Sequence, residues 1–142
     1  MNCVLCADTN DTLLWQDDFC RVVLLHDADY PAYCRVELLA HIKEMTYLPP
    51  VDRARMLQVV FVVELVVREI FNPDKINLAS IGNNTPPLHW HVVPRFEADR
   101  HFPNPHWGKP MRDGQPRQVS ADELKALSEK IATHIACAQP AN

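Results

Sequence analysis

Residues 86–96 read PPLHWHVVPRF and hold two histidines that are separated by a single residue. Side chains of a β-strand point alternately to its two faces, so His89 and His91 share one face. The apolar residues that alternate with them lie on the other face, which we expect to pack on the core. The residues alone leave two interpretations of the imidazoles: hydrogen-bonded strand histidines, or ligands of a metal ion.

Hydrophobic patterning predicts five strands, and local start and stop signals predict two long helices. Two prolines at 49–50 begin a helix that continues to about Phe71, and the sequence NPD at 72–74 ends it. The capping box SADE at 120–123 begins a last helix that runs to about Ala138. The predicted strands are 12–15, 20–27, 34–41, 75–82 and 88–95. The predicted fold class is therefore α+β, an antiparallel β-sheet of about five strands with two main helices.

The length suits one domain over residues 1–142, with a proline-rich irregular segment at about 96–118. A net charge of −4 argues against nucleic acid as the main partner. The most apolar stretch, 59–67, is too short to cross a bilayer, so we expect no membrane partner. Five cysteines and the lack of a recognisable export signal predict a cytoplasmic protein.

The predicted helix at 50–71 is rich in valine, and its polar residues do not gather on one face. A helix that is apolar on most sides is usually buried on more than one side. A single small sheet covers only one side of a helix. We therefore expect a homodimer in which this helix forms much of the interface.

The motif PLHWHVVPR at 87–95 resembles the signature of the histidine triad (HIT) superfamily of nucleotide hydrolases and transferases. That signature is His-φ-His-φ-His-φ-φ, where φ is apolar, and Pro-Arg often follows it. The resemblance extends to LLHDADYPAYCRVELLAHIKEMTYL at 24–48 and to NLASIGNN at 77–84, and it covers about residues 13–95. The segment HFPNPHW at 101–107 also looks like one bacterial branch of the superfamily.

The resemblance implies a reaction at the α-phosphate of a nucleoside phosphoramidate or a dinucleoside polyphosphate. The nucleophile of the superfamily falls on His89, which would carry a nucleotidyl-histidine intermediate. Imidazole suits this role because it is neutral and nucleophilic near neutral pH. The third triad histidine falls on His91, which would contact the phosphate or help to protonate the leaving group.

The resemblance also implies a set of substrate-binding residues. Asp27 aligns with an acidic residue that accepts hydrogen bonds from both ribose hydroxyls. Asn77 aligns with an amide donor to the phosphate oxygens, and a second such donor falls on Asn83 or Asn84. Without the resemblance, each of these residues is equally consistent with a turn or strand-end residue.

The chain departs from the signature at its first histidine, which is Pro87 here. In the superfamily that histidine belongs to a hydrogen-bonded chain that supports the site, and proline has no side-chain donor and no backbone N–H. Two hypotheses therefore follow. The protein is an enzyme weakened by Pro87, or it is a catalytically weak nucleotide-binding or regulatory protein.

Cys3 and Cys6 form a C-x-x-C pair, a spacing typical of zinc sites. Some members of the superfamily hold a structural zinc with such a pair and two histidines, which align with His41 and with position 87. Because Pro87 removes one ligand, we expect two free cysteines and no cofactor. A third hypothesis is a metal-binding domain that uses His89, His91, His41 and a cysteine.

Two interpretations remain for the proline-rich segment. His101, His106, Trp107, Lys109 and Arg112 could form a lid over the leaving group, or the segment could be a tail packed on the surface. The sequence favours the second.

Overall fold

Five strands form one antiparallel sheet in the computed structural model, which describes residues 3, 5–7 and 10–138. The strands are β1 (Thr12–Gln16), β2 (Cys20–Leu24), β3 (Cys34–Leu38), β4 (Lys75–Ala79) and β5 (His89–Arg95). Their order across the sheet is β1-β2-β3-β5-β4, so the histidine strand β5 lies between β3 and the edge strand β4. The predicted α+β class is confirmed. The predicted domain at 1–142 extends beyond the described residues at both ends.

Three strands end sooner than the sequence predicts. β2 stops at Leu24 rather than at residue 27. There the carboxylate of Asp27 accepts a hydrogen bond from the amide of Asp29 at 3.0 Å, which is a local turn. β3 and β4 likewise end three residues before their predicted ends.

The two long helices have their predicted bounds. α1 (Pro50–Phe71) has proline in its first turn, and Asn72 ends it in the left-handed conformation at φ 47°. α2 (Ala121–Ala138) begins with the predicted capping box. The amide of Glu123 donates to the hydroxyl of Ser120 at 3.2 Å, and the amide of Ser120 donates to the carboxylate of Glu123 at 3.0 Å. No helix of the described residues is long and apolar enough to cross a membrane.

Both helices belong to the main core, which lies on one face of the sheet. Leu88, directly before β5, and Val92 on β5 point into this core, and Trp90 packs against it, as the alternation predicts. The buried residues of α1 include a run of fully buried valines that faces the sheet. The residues that alternate with the core residues of β5 therefore lie on the opposite face.

The opposite face of the sheet carries charged residues and the two histidines. The strand register pairs Glu37 with His89 and Arg35 with His91 across β3 and β5. Residues 96–120 contain no helix or strand. This connecting segment packs over the opposite face, where Trp107 contacts His91.

Candidate active site

His89 is held in one tautomer by the backbone. It is 5% exposed, and its Nδ1 lies 2.7 Å from the carbonyl oxygen of Pro87. A carbonyl oxygen can only accept, so Nδ1 carries the hydrogen and donates it. The lone pair of the neutral ring is therefore on Nε2. Proline has no N–H, but it has a carbonyl, and that carbonyl orients His89.

His91 is held by a side chain from the neighbouring strand region. Its Nδ1 lies 2.6 Å from the hydroxyl of Tyr33, and the ring is 8% exposed. Burial, and then the nearby charge of His89, lower the pKa of His91 to about 3. His91 is therefore a neutral imidazole at physiological pH. The ring centroids of His89 and His91 are 5.0 Å apart.

Open space borders His89 on two sides. A cavity of about 410 Å³ is lined by both histidines, Arg35, Trp107 and the loop at 81–85. A second cavity of about 760 Å³ is lined by His89, Lys43, Thr46, Ser80 and Gly82, among others. His89 lies at the junction of the two.

The structure brings two of the predicted asparagines to this site and leaves one away from it. Asn83 and Asn84 are exposed and line the smaller cavity beside His89. Asn77 lies on β4 opposite Val93, and its side-chain oxygen accepts a hydrogen bond from Arg95 at 2.7 Å. Asn77 lines neither of the two cavities at His89.

Asp27 lies in a different cavity. This cavity of about 300 Å³ is lined by residues from the end of β2 and the turn after it, by Arg117 to Val119 just before α2, and by Leu124. The carboxylate of Asp27 accepts from the amide of Asp29, as a turn residue does. The structure therefore does not place Asp27 in the cavity at His89, and its contact with ribose stays a prediction.

Sequence reasoning missed three residues that lie beside the histidines. Glu37 is 1% exposed and accepts hydrogen bonds from Arg21 at 2.6 Å and from Arg35 at 2.5 Å. Tyr33 bonds His91. In CRVEL at 34–38, charged residues alternate with apolar ones, and this pattern could have shown that β3 presents Arg35 and Glu37 to the histidine face.

The connecting segment contributes two further rings. Trp107 packs edge-on against His91 with 5.0 Å between ring centroids, and Nε2 of His106 lies 3.2 Å from the hydroxyl of Tyr33. Burial, and then the charge of Arg95, lower the pKa of His106 to about 4. Arg112 instead donates to the backbone carbonyls of Asp99 and Phe102. Arg112 therefore does not reach the site, as expected for a tail packed on the surface. Trp107 and His106, in contrast, cover the site.

A potential metal site lies apart from this cavity. The ligand atoms of Cys3, Cys6 and His41 all lie within 4.8 Å of one another, and Cys6 Sγ is 3.0 Å from His41 Nε2. These three fit three corners of a tetrahedral zinc site, which needs four. Within the described ranges, no such cluster combines His89 or His91 with a cysteine.

The HIT domain model matches residues 7–98. No curated protein sequence matches the chain. A histidine triad protein from Bradyrhizobium japonicum is 27% identical, with a TM-score of 0.71 over 89% of this chain and 91% of that one.

Two further solved structures resemble the chain. A histidine triad protein from Marinobacter aquaeolei VT8 is 26% identical, with a TM-score of 0.69 over 90% of each chain. A Zn-bound histidine triad family protein from Mycobacterium smegmatis is 21% identical, with a TM-score of 0.65 over 98% of this chain and 99% of that one. The family match spans more than half of the chain and includes both histidines of β5, and the chain belongs to the HIT domain family.

Proposed function

We propose that this protein is a nucleotide hydrolase or nucleotidyl transferase that acts at an α-phosphate through His89. The observation that carries the proposal is the hydrogen bond from His89 Nδ1 to the carbonyl of Pro87 at 2.7 Å. It leaves the lone pair on Nε2 of a ring that borders two cavities. The HIT family includes nucleotide hydrolases and transferases, so the family and the tautomer support the same chemistry.

The reaction has two steps. In the first, Nε2 of His89 bonds to the α-phosphorus, and the bond from phosphorus to the leaving group breaks with its electron pair going to that group. In the second, water attacks the phosphorus, the P–N bond breaks, and its electron pair returns to Nε2. The proton of the water passes to solvent. The carbonyl of Pro87 stabilises the charge that the His89 ring acquires in between.

His91 acts in this scheme as a hydrogen-bond donor to a phosphate oxygen. Because the pKa of His91 is about 3, its ring is neutral at neutral pH, and it does not act as a general acid that protonates the leaving group. Asn83 and Asn84, whose exposed side chains line the cavity beside His89, would donate hydrogen bonds to the same oxygens. The nucleoside phosphoramidate and the dinucleoside polyphosphate remain the two proposed substrate classes.

Trapping the adduct tests the proposal. The wild-type protein is mixed with a labelled nucleoside phosphoramidate and with a dinucleoside polyphosphate, then quenched, and the nucleotidyl-peptide is identified by mass spectrometry. We expect an adduct on His89 and its loss in His89→Ala. His134→Ala, on α2, is the matched control and should keep the adduct. An adduct that persists in His89→Ala contradicts the assignment of the nucleophile.

A second candidate is a nucleotide-binding or regulatory protein without useful turnover. The observation that favours it is the cover over the site, because Trp107 packs on His91, and His89 and His91 are only 5% and 8% exposed. Binding of a nucleoside monophosphate with no adduct in the trapping experiment would select this candidate.

We further propose that zinc binds only weakly at Cys3, Cys6 and His41. The zinc-bound Mycobacterium smegmatis protein shares the fold. Here three side chains supply three of the four ligands that a closed structural site requires. We expect less than one zinc per chain, by elemental analysis of protein purified without a histidine tag. One tightly held zinc that Cys6→Ala removes would contradict this.

A further inference from the structure

Three side chains from distant parts of the sequence, those of His91, Tyr33 and His106, are connected by hydrogen bonds beside the cavity at His89. The hydroxyl of Tyr33 lies 2.6 Å from Nδ1 of His91 and 3.2 Å from Nε2 of His106. Tyr33 is 4% exposed and His91 is 8% exposed, so solvent does not compete for these hydrogen bonds. Tyr33 lies 58 residues from His91 and 73 residues from His106 in the sequence, and His106 reaches Tyr33 only through the fold of the connecting segment.

Rings on three sides hold His106 in place. Its ring centroid lies 3.8 Å from that of Trp107, 5.1 Å from that of Tyr33 and 5.5 Å from that of Tyr30. Trp107 in turn packs against His91. The imidazole of His106 therefore belongs to the packed wall of the site rather than to a solvent-exposed loop.

The direction of the two hydrogen bonds follows from the chemistry of the hydroxyl. Burial raises the pKa of Tyr33 well above its ordinary value, so the phenol keeps its single hydrogen. The 2.6 Å distance to His91 is typical of an O–H donor, and the 3.2 Å distance to His106 is typical of an N–H donor. Tyr33 therefore donates to Nδ1 of His91 and accepts from Nε2–H of His106.

This direction makes the two cavity histidines complementary. His91 accepts at Nδ1, so a neutral His91 carries its hydrogen on Nε2. His89 donates from Nδ1 to the carbonyl of Pro87, so its lone pair is on Nε2. One ring thus offers a nucleophilic nitrogen and its neighbour offers an N–H donor.

We infer that Tyr33 and His106 are positioning residues that hold His91 in its donor tautomer. On the proposed alignment, position 87 is where the superfamily has its first histidine and this chain has proline. His106, brought in by the connecting segment, supplies the third imidazole from another direction. This inference rests on the proposed function for its catalytic meaning, but the hydrogen-bond direction stands independently of any activity.

Nuclear magnetic resonance of the histidine rings tests the direction without requiring turnover. In ¹⁵N-histidine-labelled protein at pH 7, His91 should show the pattern of a neutral ring with hydrogen on Nε2. Tyr33→Phe removes only the hydroxyl, and we expect His91 then to shift toward a mixture of the two tautomers. A wild-type His91 with hydrogen on Nδ1, or a pattern unchanged in Tyr33→Phe, overturns the inference.

Kinetics test the positioning role, with a conservative rescue. His106→Leu removes the N–H donor, whereas His106→Gln keeps one at a similar reach. We expect the rate of adduct formation on His89 to fall at least about tenfold in Tyr33→Phe and in His106→Leu, and to stay within about threefold in His106→Gln, because loss of a group that orients a functional imidazole typically costs about this much. KM should change little, since neither residue lines the two cavities at His89.

A double variant separates positioning from general destabilisation. If Tyr33 and His106 act as one chain, Tyr33→Phe combined with His106→Leu should be no slower than the slower single variant. If the losses in rate are additive, the two residues act independently, and the inference that they hold His91 together is wrong. The two proposals also fail in distinguishable ways. If no adduct forms on His89 but His91 has the predicted tautomer, the proposed function is refuted, whereas the hydrogen-bonded connection of His91, Tyr33 and His106 still holds.

Discussion

At the scale of single residues, Pro87 matters through its backbone rather than through its side chain. The sequence shows what proline lacks, a side-chain donor and an N–H. The structure shows what it retains, a carbonyl 2.7 Å from Nδ1 of His89. The orientation of His89 therefore does not depend on the identity of residue 87.

Pro87→His tests this point. Because any residue at 87 has the same carbonyl, we expect the rate of adduct formation to change by less than about tenfold, whereas a missing acid–base or orienting group would be worth about 10² to 10⁴. Single-turnover kinetics measure the rate, and a thermal melt checks that the strand still forms. A gain of a hundredfold or more would show that the missing imidazole limits the site.

At the scale of elements, the end of β5 anchors the segment that covers the histidines. The carboxylate of Asp99 accepts from Arg95 Nε at 2.8 Å and from the amides of Phe96, His101 and Phe102. Burial opposes ionisation, but these donors, first that of Arg95, lower the pKa of Asp99 to about 2. Arg95 is 2% exposed, so the pair is a buried ion pair.

Asp99→Ala should leave Arg95 buried without its partner. Removing one member of a buried ion pair typically costs about 3–5 kcal/mol, so we expect the free energy of unfolding to fall by about that amount. Urea denaturation measures it. Asp29→Ala is the control, because the ion pair of Asp29 with Arg100 is partly exposed to solvent and should be worth at most about 1 kcal/mol. Equal losses in both variants would contradict the special role of Asp99.

The helix α1 exposes apolar side chains on the face that the core does not cover. Phe61 is 56% exposed and Leu65 is 38% exposed, and they lie four residues apart on one side of the helix. Two large apolar side chains that are exposed on one side of a helix, while its other side is buried, support the proposed homodimer with α1 at its interface.

Phe61→Glu should dissociate that dimer, because it places a charge in the centre of an apolar contact. Sedimentation at micromolar concentration should give a dimer for the wild type and the 16.3 kDa monomer for the variant. Leu13→Glu, at an equally exposed site on the edge strand β1, should remain dimeric. A wild-type protein that sediments as a monomer refutes the interface.

At the scale of the whole molecule, the two buried imidazoles couple stability to pH. The folded pKa values of His91 and His106 are about 3 and about 4, both below the ordinary 6.5. Between pH 6.5 and 4 the unfolded chain binds protons at these histidines and the folded chain does not. Stability is therefore highest above pH 6.5 and falls as the pH decreases. Asp99 acts below this window, since its ordinary pKa is 3.8.

Urea denaturation at pH 7, 6 and 5 should show this loss. Each histidine with a depressed pKa can contribute up to about 1.4 kcal/mol per pH unit once the unfolded chain is fully protonated there. His106→Gln removes one of the two groups and should make the dependence on pH about half as steep. A free energy of unfolding that is constant from pH 7 to pH 5 would contradict the buried, neutral state of both rings.

Local signals in the sequence determined the helices, the strands and the face of the sheet on which the histidines of β5 lie. The bounds of α1 and the capping box of α2 depend on residues within one turn of the helix end, so they can be inferred from neighbours in the chain. The alternation in PLHWHVV likewise follows from strand geometry alone. Strand lengths do not follow from these local signals: β2 ends before Asp27, whose side chain forms a turn that replaces the hydrogen bonds of the sheet.

Only the tertiary structure decided which side chains surround the histidines. Tyr33 and His106 are 73 residues apart, and no periodicity links them. Their contact depends on how β3 and the connecting segment pack on the same face of the sheet. The same packing separates Asp27 from His89, because the turn after β2 places Asp27 in another cavity. Contacts between distant residues arise from long-range packing, which local propensity does not encode.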